Sequence, residues 1–131
     1  MYNFTLDQFI HKKVIEINDR YPLFIFEENV TLMIECSWRL RDNETIVVGC
    51  SEYNSKETHK KTHKKLLDLL KGQAIQHIEC IPPVSDLLIH FSNGLYLELF
   101  SNSTEYESWT LADEKGFQLV SAPGGKVCFF E

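Results

Sequence analysis

Nowhere does the sequence hold the run of about 18 apolar residues that a membrane-spanning helix requires. Its first fourteen residues, Met1 to Val14, show neither the basic start nor the apolar stretch of a secretory signal. These absences predict a cytoplasmic protein with no membrane partner. The four cysteines, Cys36, Cys50, Cys80 and Cys128, form no Cys-x-x-Cys pair, which excludes a zinc ribbon or a thioredoxin-like redox motif. Disulfides accompany export, so buried free thiols are expected. Glycine is scarce, at six residues, and no glycine-rich loop with a Walker lysine precedes a helix. Pro123-Gly124-Gly125 therefore reads as a tight turn, not as a phosphate cradle, and no cofactor motif is present.

Apolar residues are plentiful. With 44% hydrophobic residues, nine Phe, five Tyr and two Trp in 131 positions, the chain can fill the core of a single domain spanning 1–131. The net charge of −6 conceals a polarity. Residues 56 to 71 hold six lysines against Glu57 and Asp68, a balance of +4, which leaves −10 on the rest. An acidic body repels a phosphate backbone and suits a basic protein partner, so nucleic acid is not expected.

The clearest strand signal lies at Leu87, Ile89 and Phe91, followed by Ser92-Asn93-Gly94 and then by Leu95, Leu97 and Leu99. This period-2 alternation around a polar loop predicts a hairpin in which Phe91 faces Leu95, Ile89 faces Leu97 and Leu87 faces Leu99, with Gly94 left-handed. Phe24, Phe26, the loop Glu27-Glu28-Asn29, Val30, Leu32 and Ile34 repeat the pattern, with Asn29 where Gly94 stands. Asn is the non-glycine residue that best tolerates left-handed geometry. Downstream, Trp38, Leu40, Ile46 and Val48 align without gaps on Trp109, Leu111, Phe117 and Leu119. Upstream, Val14 and Ile17 recur as Ile75 and Ile78, each pair preceding a proline linker.

Two pseudo-repeats, about 4–50 and 66–120, are thus expected, with one helix over about 55–71 between them. Ser55 is its predicted N-cap, Gly72 its stop, and the stretch from Lys56 to Lys65 is read as projecting into water. A shorter helix is possible near Leu6 to Lys13. The closing segment from Gly124 to Glu131 has no counterpart in the first copy and reads as an extra strand, either buried on both faces or bridging the copies. The expected class is α+β and mainly antiparallel, with two meanders forming a twisted sheet or partly open barrel and one packed helix.

Candidates for chemistry are few. His59 and His63 have the i, i+4 spacing of a metal pair, but lysines interleave them and no third ligand is indicated, so the reading is a solvated basic face and no metal. His90 is a lone strand histidine. Glu105 and Glu107 have strand spacing and suit an exposed acidic surface better than an acid–base pair. The most informative feature is an asymmetry between the copies. Phe26 to Trp38 spans 12 positions and Phe91 to Trp109 spans 18, so the second copy carries six extra residues around Ser101 to Glu107. Such a loop on a rigid sheet is a usual carrier of function. Tyr106 between two glutamates offers an aromatic anchor for a basic protein; the alternative is a wide turn whose Tyr106 covers Trp109.

The segments Tyr106 to Leu111 (YESWTL) and Gly116 to Gly125 (GFQLVSAPGG), with FSNGLYLELF upstream, resemble a group of small bacterial proteins of uncharacterised function. That group shares a Tyr-Glu-x-Trp-x-Leu segment and a Pro-Gly-Gly turn. The matched residues are Asn93, Gly94, Tyr106, Glu107, Trp109, Leu111, Pro123, Gly124 and Gly125, and the resemblance covers nearly the whole chain. It implies no particular activity, and the basic helix departs from the group's less basic linker. At the level of class alone, the chain is similar to immunity proteins that neutralise polymorphic or contact-dependent toxins.

The expectation is therefore a non-enzymatic binding protein whose acidic face, Glu98, Glu105, Tyr106 and Glu107, docks a basic partner such as a cognate toxin. The alternative is a small-ligand-binding barrel with a cavity between Trp38 and Trp109, near His90. A homodimer through an exposed edge strand is a further possibility.

Overall fold

The computed structural model describes residues 2–131. Among these residues lie eleven strands: β1 (Val14–Asn18), β2 (Leu23–Phe26), β3 (Val30–Ile34), β4 (Ser37–Arg41), β5 (Ile46–Gly49), β6 (Ile75–Ile81), β7 (Asp86–Phe91), β8 (Tyr96–Phe100), β9 (Trp109–Ala112), β10 (Gln118–Ala122) and β11 (Lys126–Phe130). Helices α1 (Cys50–Asn54) and α2 (His59–Leu70) separate the two halves. The class is α+β, mainly antiparallel, and the strands form two open sheets, not a closed barrel.

The pairing of the predicted hairpin holds. Ile89 faces Leu97 and Leu87 faces Leu99, the Phe91 N–H bonds the Leu95 carbonyl at 2.8 Å, and Gly94 has φ +87°. In the first copy Phe26 faces Val30 and Phe24 faces Leu32, with Asn29 at φ +57° beside Glu28 at φ +61°. Both copies also carry a bulge in their first strand, between Val14 and Glu16 and between Ile75 and His77.

The copies are interleaved. One sheet runs β1-β2-β3-β9-β10-β11 and the other β5-β4-β8-β7-β6, so each contains a meander from one copy and the later hairpin of the other, with β11 added at the edge of the first. The two junctions are equivalent: Ile34 faces Trp109 and Leu32 faces Leu111 in the first sheet, and Leu99 faces Trp38 and Leu97 faces Leu40 in the second. The alternating buried rows of both sheets merge into one hydrophobic core containing both tryptophans, Phe24, Phe26, Phe91 and the central leucines. At one corner the sheets are tied together. The His11 N–H bonds the Ile75 carbonyl at 2.7 Å, and the Val14 N–H bonds the Gln73 carbonyl at 3.0 Å.

Several expectations require correction. The single helix over 55–71 is two: Ser55 is extended and ends α1, and α2 begins four residues later after Thr58. Thr58 turns its hydroxyl to the Glu52 carbonyl at 2.6 Å, stitching the two helices together instead of capping α2. The first turns of α2 do not simply project into water, because Thr62, Leu66 and Leu70 are buried along one stripe. The apolar end does stop as expected, with Gly72 at φ +84°. The helix near Leu6 to Lys13 is a single 3-10 turn, Asp7–Phe9. Ile46 is 57% exposed, although its counterpart Phe117 is buried. Strand β11 is neither buried on both faces nor a bridge: among the described residues it pairs only with β10, at the sheet edge, with Lys126, Cys128 and Phe130 outward. Of the four free cysteines Cys80 is buried, Cys36 and Cys50 are partly buried, and Cys128 is exposed.

Candidate functional site

The six-residue asymmetry between the copies is a difference in one connection. Strands β3 and β4 are joined by Glu35 and Cys36 alone, whereas β8 and β9 are joined by residues 101–108. This longer loop contains Glu105, Tyr106 and Glu107, which lie outside any strand, so the strand geometry expected for the two glutamates is not formed.

The loop is held from below. Ser103 folds back, its hydroxyl accepting the N–H groups of Glu105 at 3.1 Å and Tyr106 at 2.9 Å, and its carbonyl accepts the Gly124 N–H at 2.8 Å. Such a serine turn fixes the backbone without help from sheet pairing. Asn102 Nδ2 reaches Ser37 Oγ at 3.0 Å, anchoring the loop on the other copy. Beneath it lies a chain of hydroxyls: Ser121 Oγ sits 2.8 Å from Ser85 Oγ and 2.7 Å from Ser101 Oγ. Ser85 Oγ donates to the Gly125 carbonyl at 2.8 Å. The Ser85 carbonyl accepts from Ser101 Oγ at 2.9 Å and from Trp109 Nε1 at 2.9 Å. These bonds tie the loop to Ser85 and to the β10 residue Ser121.

Trp109 is fully buried and Tyr106 is 71% exposed, so most of the tyrosine's surface is not spent on covering the indole. It instead lines a cleft of about 620 Å³ together with Tyr21, Glu35, Cys36, Asn54 and Glu107. A second hollow of about 350 Å³, lined by Glu35, Glu105, Tyr106, Glu107 and Pro123, adjoins it through the shared residues. Tyr21 is also well exposed, at 56%. The site thus offers two aromatic surfaces and three carboxylates from three parts of the chain. Burial pushes the Cys36 thiol up to about 12, so it stays protonated and unreactive at neutral pH.

Glu98 is placed differently. It stands on the outer face of the second sheet, where Arg39 Nε and Arg41 Nε each bond its Oε1 at 2.7 Å, and it lines neither hollow. Burial alone would raise its carboxyl, but the hydrogen bonds from Arg41 and Arg39 outweigh that and hold it below the usual value. Arg39 also lies over Phe100 and Arg41 over Tyr96, on which His90 stacks at 4.2 Å. Glu98 and His90 therefore belong to one layered surface of stacked rings and ion pairs.

Trp38 and Trp109 lie in the core, 2% and 0% exposed, and line none of the described clefts. Trp38 packs edge-on against Tyr53 at 5.3 Å. The two histidines of α2 close around that same tyrosine: His63 Nδ1 is 2.7 Å from Tyr53 Oη and His59 Nδ1 is 2.6 Å from the Tyr53 carbonyl. Their helical spacing thus serves packing against α1, a use that the sequence did not reveal because Tyr53 falls before the predicted helix. Among the described residues no group of three or more His, Cys, Asp or Glu is arranged to hold a metal.

The connection that builds the cleft lies within the Tyr-Glu-x-Trp-x-Leu segment and just before it. The pattern of a family of unknown function (DUF6188) matches residues 7–131, which include every element described above. The chain belongs to this family. The match takes in both copies and the helices between them, so the interleaved pair of sheets falls within its bounds. No curated protein and no solved structure matches the chain. No helix among the described residues is long and apolar enough to cross a membrane.

Proposed function

We propose that this member of the DUF6188 family is a non-enzymatic binding protein that captures a basic protein partner at the loop of residues 101–108, and more specifically that it is a cytoplasmic immunity protein covering the active site of a toxin domain. The observation that carries the reading is Tyr106, largely exposed yet held on a backbone that Ser103 locks, between two hollows walled by Glu35, Glu105 and Glu107. An aromatic ring presented on a pre-ordered backbone loses less entropy on binding than one on a free loop, and carboxylates around it steer and select cationic side chains. The binding face is narrower than the sequence suggests, because Glu98 is committed to Arg39 and Arg41. The remainder of the chain carries −10 outside residues 56–71, which adds long-range attraction for a basic partner.

The test is capture from lysate of the source cell, and with products of neighbouring genes, at low and high salt. Recovery of a basic protein that high salt releases, and that Glu105→Lys with Glu107→Lys no longer recovers, supports the reading. Equal recovery by the charge-reversed variant, with its fold intact, would sink it.

A further inference from the structure

Strand β11 leaves its outer side open. No backbone hydrogen bond among the described residues reaches that side. Of the other three sheet edges, β1 carries Glu16 and β6 carries Glu79, charges of the kind that discourage strand addition, while β5 has no charged residue and lies beside α1 and α2. Like β1, β11 carries a single charge, Lys126, and the β10 residues beside it, Gln118 to Ala122, are all neutral. On a body of net charge −6 this is an almost uncharged edge.

The direction of its free groups follows from the neighbouring strand. The Ser121 carbonyl accepts the Ser108 N–H at 2.9 Å, on the β9 side. Backbone groups alternate sides along a strand, so Val120 and Ala122 point toward β11 and pair with Cys128 and Lys126. Val127 and Phe129 therefore present their N–H and C=O groups outward. Their side chains turn inward, where Phe129 packs on Phe4 at 5.5 Å and on Phe117 at 5.3 Å. Lys126, Cys128 and Phe130, the last 55% exposed, share the outer face.

We propose that this edge binds a second copy of the chain, strand β11 pairing antiparallel with its twin about a twofold axis at Cys128. That register matches Val127 with Phe129 of the other copy in both directions, forming about four backbone hydrogen bonds through the outward groups. It also sets each Lys126 opposite the exposed Phe130 of the twin, a cation over an aromatic ring. The strand is thus complementary to itself, as a twofold interface requires. Moving the axis to Val127 or Phe129 pairs fewer residues and loses the Lys126–Phe130 match. At the axis the two Cys128 residues form a wide pair with Cα atoms about 4.5 Å apart, within the range that a disulfide can bridge.

The experiment has two arms on the full chain. Light scattering and sedimentation equilibrium over a concentration series measure mass, for the wild type, Cys128→Ser and Cys128→Lys. The wild type and the serine variant are expected to form dimers, and the lysine variant, with two like charges opposite each other at an exposed site, to dissociate at least about tenfold more readily. In the second arm, diamide takes two electrons and two protons from a pair of thiols and becomes the hydrazine. Rapid cross-linking lost in Cys128→Ser but retained with Cys36 and Cys50 replaced places the axis at Cys128. A wild type monomeric at every concentration, a lysine variant that dimerises equally, or cross-linking through another cysteine would each overturn the proposal.

Discussion

The Ser85 carbonyl accepts the indole N–H of Trp109 at 2.9 Å, whereas Trp38, the same position in the other copy, buries its Nε1 without a partner among the described residues. Equivalent tryptophans at equivalent sheet junctions thus differ by one hydrogen bond. Replacing Trp109 by Phe removes that bond as well as volume, whereas replacing Trp38 by Phe removes volume and an unpaired buried donor. Trp109→Phe is expected to be the more destabilising by about 1 kcal/mol in urea unfolding; equal losses would mean that the Ser85 contact contributes nothing.

The glycines of the loops separate strain from space. At Gly94 (φ +87°) an added Cβ meets nothing within 4 Å, while at Gly125 (φ +78°) it would meet the Val84 carbonyl oxygen at 2.7 Å. Gly94→Asn is expected to cost no more than about 0.5 kcal/mol, since Asn tolerates this conformation and Asn29 already adopts it. Gly125→Ala, which combines strain with a backbone clash, is expected to cost about 2 kcal/mol or more. Thermal unfolding of the two variants side by side checks the order.

Burial, with the neighbouring His59 adding to it and Asp19 opposing it, holds the His63 imidazole below its ordinary value. Its folded form therefore binds a proton less readily than its unfolded form. The stability this contributes is complete above the unfolded value of about 6.5 and declines as pH falls from there toward the lower folded value. Melting measured from pH 7.5 to 5.5 is expected to fall less steeply for His63→Gln than for the wild type. An unchanged slope would remove His63 as the cause.

Glu98 and Tyr106 separate structure from binding. Glu98→Gln leaves Arg39 and Arg41 facing each other without their shared carboxylate and is expected to cost at most about 1 kcal/mol, given partial exposure and solvent screening. Capture of a basic partner is expected to persist. Tyr106→Ala is expected to behave in the opposite way, with melting unchanged within about 0.5 kcal/mol and capture lost.

Much of the architecture was legible because strand alternation and loop chemistry act locally. Phe91, Gly94 and Leu95 define their hairpin within five residues, and the copy around Phe26 and Val30 confirms it. The exchange of hairpins between the copies was not legible. It depends on whether Trp38 and Trp109 lie beside their own meander or the other one, and local pattern is identical in the two cases. The break between α1 and α2 was missed because Ser55 resembles an N-cap, and only the packing of His59 and His63 on Tyr53 shows why α2 starts later. Of the candidate site, the loop and Tyr106 were marked by the length difference between copies. Glu35 and Tyr21 were not, since they approach only through folding.

The interleaving of the two halves also sets the order in which the protein can be completed during synthesis. The β3 strand, already paired with β2, finds its second neighbour only when Leu111 arrives opposite Leu32, and β4, already paired with β5, only when Leu97 arrives opposite Leu40. A chain emerging from the ribosome therefore keeps the inner edges of both β3 and β4 unpaired until its second half has been made. Contacts this distant in sequence make for slow folding, and the first half passes through that interval with adhesive strand edges that a nascent-chain chaperone is suited to shield.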